Sequence, residues 1–177
     1  MNKLIIVNGA PGSGKTTLSR NLSAQTKIML ISKDDIKEFL FDRLGIDDVE
    51  WSKLLGSLSA DFLIELARGI LKSGRSLIIE NAFNPDFAGK QIKKIVEDFP
   101  DVEIIEIYCK VPYELSRQRF IERVKTGERH PGHRDFDRID DYSRSAQHIP
   151  IGLDKLITIN TSDDATIKLD ELVKKLK

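Results

Sequence analysis

Nine consecutive residues, Gly9-Ala10-Pro11-Gly12-Ser13-Gly14-Lys15-Thr16-Thr17, spell G-x-x-x-x-G-K-[ST] without a substitution. A backbone that curls tightly around an oligophosphate needs bare N–H groups at close approach, and glycines at 9, 12 and 14 permit the dihedrals this takes. Lys15 is then expected to reach the β- and γ-phosphates of a bound nucleotide and the Thr16 hydroxyl to ligate Mg²⁺. A helix opening near Gly14 turns its positive end toward the same anion. An ordinary glycine-rich turn can match the same expression, so the flanks decide. Lys3-Leu4-Ile5-Ile6-Val7 upstream is a short aliphatic run, as a buried parallel strand should be, and Leu18 and Leu22 follow at helical spacing. Strand, loop and helix stand in the order a phosphate-binding loop demands, and Gly9 through Thr17 are read as the nucleotide-binding segment.

With 177 residues, 40% of them hydrophobic, the chain has material for one well-buried α/β domain and too little for two, so residues 1–177 are expected to form one domain with inserts. Lys plus Arg and Asp plus Glu balance at 28 each, which removes a global basic field as an argument for nucleic acid. The single cysteine, Cys109, lies within Ile104-Ile105-Glu106-Ile107-Tyr108-Cys109 and is expected as a small buried hydrophobe. No apolar run approaches the length of a membrane span, and the first residues enter a core strand without a signal-peptide pattern. A cytoplasmic protein without membrane association is expected.

Further strands are expected at Ile28 to Ile31, Ser76 to Glu80, Val102 to Cys109 and Lys155 to Asn160, separated by helical patterns. That alternation predicts a three-layer α/β fold: a five-stranded, mainly parallel sheet with helices on both faces. Ser32 and Asp35 resemble a capping box, which puts the acid pair Asp34-Asp35 at the carboxyl end of the second strand, where open parallel sheets gather ligand chemistry. Both acids would also serve simply as helix-capping residues. Glu80-Asn81-Ala82-Phe83-Asn84-Pro85 sets a second polar group at the end of the third strand, with Asn84 to cap and Pro85 to open a helix. Trp51, Leu55, Leu58, Phe62, Leu66 and Ile70 recur at three- and four-residue steps and predict the buried stripe of one long helix ending near Lys72, with Trp51 in the core. The stretch of about 42–70 is expected as a helical insert walling the substrate side. Phe87, Ile92, Ile95, Val96 and Phe99 give the next helix its stripe. After a cap at Thr161-Ser162, Ile167, Leu169, Leu172, Val173 and Leu176 do the same for the last.

From Arg117 the character changes: Arg117, Arg119, Arg123, Lys125, Arg129, His130, His133, Arg134 and Arg138 make a basic segment in a neutral chain. Two glycines and a proline between Thr126 and Gly132 predict a mobile loop between helices, and Arg119 and Arg123, four apart, share a helix face. An arginine-bearing lid over about 117–138 would put positive charge above a transferring phosphoryl group and exclude water. A solvated basic face paired with acids such as Glu122 is the plainer reading. His130 and His133 have no third ligand at a recognisable spacing, which argues against zinc.

Neither a guanine-specifying N-K-x-D nor a D-x-x-G switch in the right context is present, which argues against a GTPase. The ordered set of Gly9 to Thr17, Ser32-Lys33-Asp34-Asp35, Glu80 to Pro85, and Val111-Pro112-Tyr113-Glu114-Leu115 followed by arginines resembles the kinase domain of bacteriophage polynucleotide kinase and its relatives, the zeta-toxin and chloramphenicol-phosphotransferase group of small P-loop kinases. The likeness covers most of the chain. It implies an ATP- and Mg²⁺-dependent transfer of the γ-phosphate to a hydroxyl of a small molecule or a nucleic-acid 5′ end, with no obligatory protein partner. It also implies Asp34 as general base, Lys15 on the phosphates, and Arg123 as the lid arginine with Arg119 beside it. Thr16 and Glu80 fall to the metal, and Asp35, Lys37, Asn81 and Arg129 to the substrate. Lys37 stands where the polynucleotide kinase has an arginine gripping a phosphate, keeping the charge but losing the bidentate fork. The phosphatase half of such bifunctional enzymes is not expected within these residues. A nucleotide-binding regulatory ATPase without an acceptor and a toxin-type kinase are the alternatives.

Overall fold

Leu4, Ile5, Ile6 and Val7 are all sealed from solvent, and this run forms the middle strand of the sheet, β1 (Lys3–Gly9). The computed structural model describes residues 2–139, 142, 148–162 and 169–176. β1 lies between β3 (Leu77–Glu80) and β4 (Glu103–Lys110); β2 (Met29–Ser32) borders β3, and β5 (Leu156–Asn160) borders β4. Every pairing is parallel, in the order β2-β3-β1-β4-β5.

Strands buried on both faces need helices on both. On one side α3 (Val49–Lys72) and α4 (Pro85–Asp98) pack Leu63, Ala67, Ile92 and Ile95 against Leu4, Ile6, Leu77 and Ile79. On the other, α1 (Lys15–Thr26) and α6 (Leu169–Leu176) pack Leu18, Leu22, Leu172 and Leu176 against Ile5, Val7, Ile105 and Ile107. This is the expected three-layer fold. Ile167 lies outside the described residues, as does the side chain of Phe87. Cys109 is 1% exposed and burial pushes its thiol up to about 12, so it packs as a hydrophobe.

The buried face of α3 differs from the expected stripe. Ser52, Leu55, Ser59, Leu63, Ile64, Ala67 and Leu71 face inward, while Leu58 and Phe62 are 49% and 58% exposed. Small residues at 52, 59 and 67 let the helix approach its neighbours closely, and Ser59 satisfies its own hydroxyl by donating to the Leu55 carbonyl at 2.6 Å. Trp51 is half-buried rather than core, and its indole N–H donates to the Gly45 carbonyl at 3.1 Å.

Register places the site. Ser32 lies opposite Glu80, and Glu80 opposite Val7, so the carboxyl ends of β2 and β3 come level with the start of the loop. α2 (Lys33–Leu44) begins there, with Ser32 Oγ accepting from the Asp34 N–H at 3.3 Å. The basic segment begins as α5 (Tyr113–Thr126). Beyond it the chain forms two short 3₁₀ turns, Pro131–His133 and Phe136–Arg138, and folds back onto α2. The His130 ring stacks on Phe41 at 5.3 Å, and Gly132 sits so close that a Cβ there would meet the Phe41 ring at 2.5 Å.

Candidate active site

The loop between β1 and α1 holds Gly12 at φ 75° and Gly14 at φ 79°, left-handed values that favour glycine. A Cβ on Gly12 would also run into the Ser116 carbonyl oxygen, so α5 presses directly on the loop. Ser32, Asp48 and Asn84 cap α2, α3 and α4 with side-chain oxygens, but Gly14 gives α1 no such cap. The first-turn N–H groups of α1 are thereby left to an anion. Lys15 Nζ lies 3.4 Å from the Ala10 carbonyl and 3.8 Å from Glu80 Oε1. The Thr16 hydroxyl donates to Glu80 Oε2 at 3.4 Å, and Ser32 donates to the same oxygen at 2.7 Å. Hydroxyl and carboxylate oxygens gathered beside a phosphate loop are the hard donor set that Mg²⁺ takes. Arg123 brings Nε and a terminal nitrogen that are buried without a partner among the described residues. Burial, with Arg129 nearby, pushes its pKa down, and an incoming phosphate would supply both the missing acceptors and the compensating charge.

Beside the loop lies a cavity of about 210 Å³ lined by Lys15, Lys33, Asp34, Glu80, Asn81 and Arg129, among others. Asp34 is 3.2 Å from Lys33 Nζ and 2.8 Å from an Arg129 terminal nitrogen, and Arg129 Nε is 3.1 Å from Asp135. Burial works to raise the Asp34 carboxyl, but the charges of Lys33, Arg129 and Lys15 overcome it and hold the group well below the usual carboxylate range. Behind Arg129, His133 Nδ1 lies 3.0 Å from a guanidinium nitrogen, and its Nε2 lies 2.9 Å from Glu38. Arg129 can only donate, so Nδ1 accepts and the hydrogen sits on Nε2, aimed at Glu38. Burial, reinforced by Arg129, pushes the His133 ring down to about 2, while burial and then Asp34 raise Glu38.

Of the expected site residues, Pro11, Lys15, Asp34, Glu80, Asn81 and Arg129 come together in this cavity. Arg119 does not. It donates to the Thr161 and Ser162 carbonyls at 2.9 and 3.0 Å, at the end of β5, and with Thr17 lines a second cavity of about 570 Å³ on the other side of the loop. Arg123 opens onto that cavity too, but its donors are not spent in this way. Asp35 turns outward to Arg20 at 3.7 Å, so the reciprocal half of the expected capping box is not formed. Lys37 faces α3 instead of substrate: it is 3% exposed, donates to Ser52 Oγ at 2.9 Å and lies over the Phe41 ring. Three contributors were not read from the sequence. The Tyr142 hydroxyl donates to the Pro11 carbonyl at 2.8 Å, holding the loop from the lid side. Asn8 Oδ1 accepts from the N–H groups of Gly9 and Phe83 at 2.8 and 2.9 Å. Its amide donates at 2.8 Å to Glu106, which also accepts from the Ile151 N–H at 2.8 Å. A lone asparagine ending an aliphatic strand was the available signal for Asn8; nothing marked Tyr142.

Residues 4–149 match the model of a family described as an AAA domain. The chain belongs to that family. This AAA-domain chain shares 34% identity and a TM-score of 0.90 with the crystal structure of a candidate kinase from Chloroflexus aurantiacus J-10-fl, over 99% of this chain and 96% of that one. The APS kinase of Mycobacterium tuberculosis, solved with AMPPNP and APS, shares the fold at 15% identity, with a TM-score of 0.60 and coverage of 99% and 97%. A cytidylate kinase of Methanococcoides burtonii is 29% identical over 122 residues, 68% of this chain and 62% of that protein. The chain thus spans about three fifths of the length of the cytidylate kinases it first matches. By family the chain is an AAA-domain protein, and its fold is the P-loop fold of the kinase structures it resembles. Among the described residues no helix is long and apolar enough to cross a membrane.

Proposed function

We propose that the chain transfers the γ-phosphoryl group of ATP to an acceptor hydroxyl, with Asp34 as the base. The observation that carries this is the placement of Asp34 in one small cavity with Lys15 and Glu80, its carboxylate held ionised and oriented by Lys33 and Arg129. Lys15 and the open N-terminus of α1 hold the donor phosphates, and Arg123 covers the transferring group. Mg²⁺, held by Thr16 and Glu80, would supply charge neutralisation on the phosphate oxygens.

In the transfer step the acceptor oxygen forms a bond to the γ-phosphorus, the bond from that phosphorus to the β,γ-bridging oxygen breaks, and ADP leaves. The hydroxyl proton passes to Asp34 and from there to solvent. A carboxylate with so low a pKa is a weak base. The transition state for phosphoryl transfer is loose, however, and asks more for orientation of the hydroxyl than for early proton removal. Arg129 fixes that orientation. Kinase relatives support the reaction class, and the lid of about 117–138, carrying Arg123 and Arg129, closes over the reacting atoms.

Asp34→Asn is expected to lower kcat by about 10²–10⁴-fold while ATP affinity stays unchanged. Unaltered turnover in this variant would remove the proposed base. Lys15→Ala should abolish ATP binding measured by calorimetry.

A further inference from the structure

We propose that the acceptor is a small, uncharged, polyhydroxylated molecule and not an anion or an oligonucleotide; this rests on the phosphotransferase reading above. The first argument is charge. Once Lys15 and Glu80 are assigned to donor and metal, the described acceptor wall holds two cations and two carboxylates, each within ion-pair distance of an opposite charge: Lys33 with Asp34 at 3.2 Å, Arg129 with Asp34 at 2.8 Å, and Arg129 Nε with Asp135 at 3.1 Å, the last without hydrogen-bond geometry. A phosphate or carboxylate on the acceptor would compete with Asp34 and Asp135 for Lys33 and Arg129, and drawing Arg129 away would leave the sheltered Asp135 without its described cation beside the new negative charge. A neutral hydroxyl demands no such exchange. Each carboxylate oxygen has more than one lone pair, so Asp34 and Asp135 can keep their cations and still accept O–H donors, with the Asn81 amide completing the polar wall.

The second argument is size. At about 210 Å³ the cavity falls below the roughly 300–1,000 Å³ of sites that hold drug-sized ligands. Its far wall is Phe120 and Tyr142, ring centroids 4.9 Å apart, and its lid side is tied to α2 through Phe41. Lys37, on which the polynucleotide reading would rest, does not line the cavity and instead donates to Ser52 on α3. These dimensions suit something the size of a monosaccharide or cyclitol.

The test is a panel of pentoses, hexoses, cyclitols and nucleosides, each run beside its own charged counterpart (aldonate, uronate or monophosphate), with a 5′-hydroxyl hexanucleotide added. Binding is measured by ligand-observed NMR with Mg²⁺ and AMPPNP, and transfer by ³¹P NMR with ATP. The best acceptor should be neutral, with kcat/KM at least about 10-fold above its charged counterpart. A charged compound or the hexanucleotide ranking first overturns the acceptor class and leaves phosphotransfer standing. A neutral compound that binds without being phosphorylated supports the class and overturns phosphotransfer. Failure of every compound to bind overturns the class. Asp135→Asn frees Arg129 from one partner and should raise the charged-to-neutral ratio about 10-fold; an unmoved ratio overturns the charge argument. If that variant does not fold, Lys33→Gln gives the same test with the opposite sign.

Discussion

His133 is sealed between Arg129 and Glu38, and its ring stays neutral because a second positive charge there would be both desolvated and repelled. In the unfolded chain a histidine titrates near 6.5. Between that value and about 2 the unfolded state binds one more proton than the folded state does at this site, so stability is lost as pH falls through the window. His148, which burial pushes down to about 4, acts in the same direction over the upper part of the range. Denaturant unfolding at pH 6.5 and pH 5 should show His133→Gln losing about 2 kcal/mol less than the wild type over that interval. Equal losses would mean that His133 is not held neutral. The errors in reading Asp35 and Lys37 share a physical origin. A helix turns about 100° per residue, and sequence gives that increment without the starting angle. The angle of α2 is set by Phe41, which is buried and faces the lid. Asp34 therefore meets the cavity, Asp35 meets solvent and Lys37 meets α3.

Gly12 and Gly132 mark two places where the segment from α5 onward presses on the rest of the site, and they should respond differently to an added methyl group. At Gly12 the obstruction is the Ser116 backbone carbonyl and φ is positive, so nothing can yield cheaply. Gly12→Ala should lose ATP binding by calorimetry while retaining helical circular dichroism. At Gly132 the neighbour is the buried Phe41 ring, and overpacking there should cost about 1–3 kcal/mol, seen as a lower melting temperature together with a higher KM for ATP. Retention of the wild-type melting temperature would show that the lid does not need this contact. α3 shows why helix faces are only partly legible. Its large apolar residues and its small ones form separate stripes, and the reading followed size. Ser52, Ser59 and Ala67 carried the packing because close approach rewards the absence of bulk, which no count of hydrophobic residues registers.

Strand–helix alternation and the uninterrupted aliphatic runs made the parallel sheet legible throughout, and polar residues at strand ends pointed to Asp34, Glu80 and Asn81, which line one cavity. Asn8 and Glu106 were not legible as a pair, since they are 98 residues apart and meet only through the register of β1 with β4. Together they join the loop, the segment after β3 and the backbone at Ile151 and Gly152. Glu106→Gln keeps the shape but turns N–H groups toward N–H groups, and should destabilise the fold by about 1–3 kcal/mol in denaturant titration. An unchanged midpoint would mean that this junction is slack. The stack of His130 on Phe41 has a different consequence. Ionic strength weakens attraction between phosphates and exposed cations but leaves ring packing nearly untouched. The lid's other tie to α2, the sheltered pair of Arg129 and Asp34, is also screened little, so between about 0.05 and 0.5 M salt the rate at which the lid opens to release product should stay nearly level.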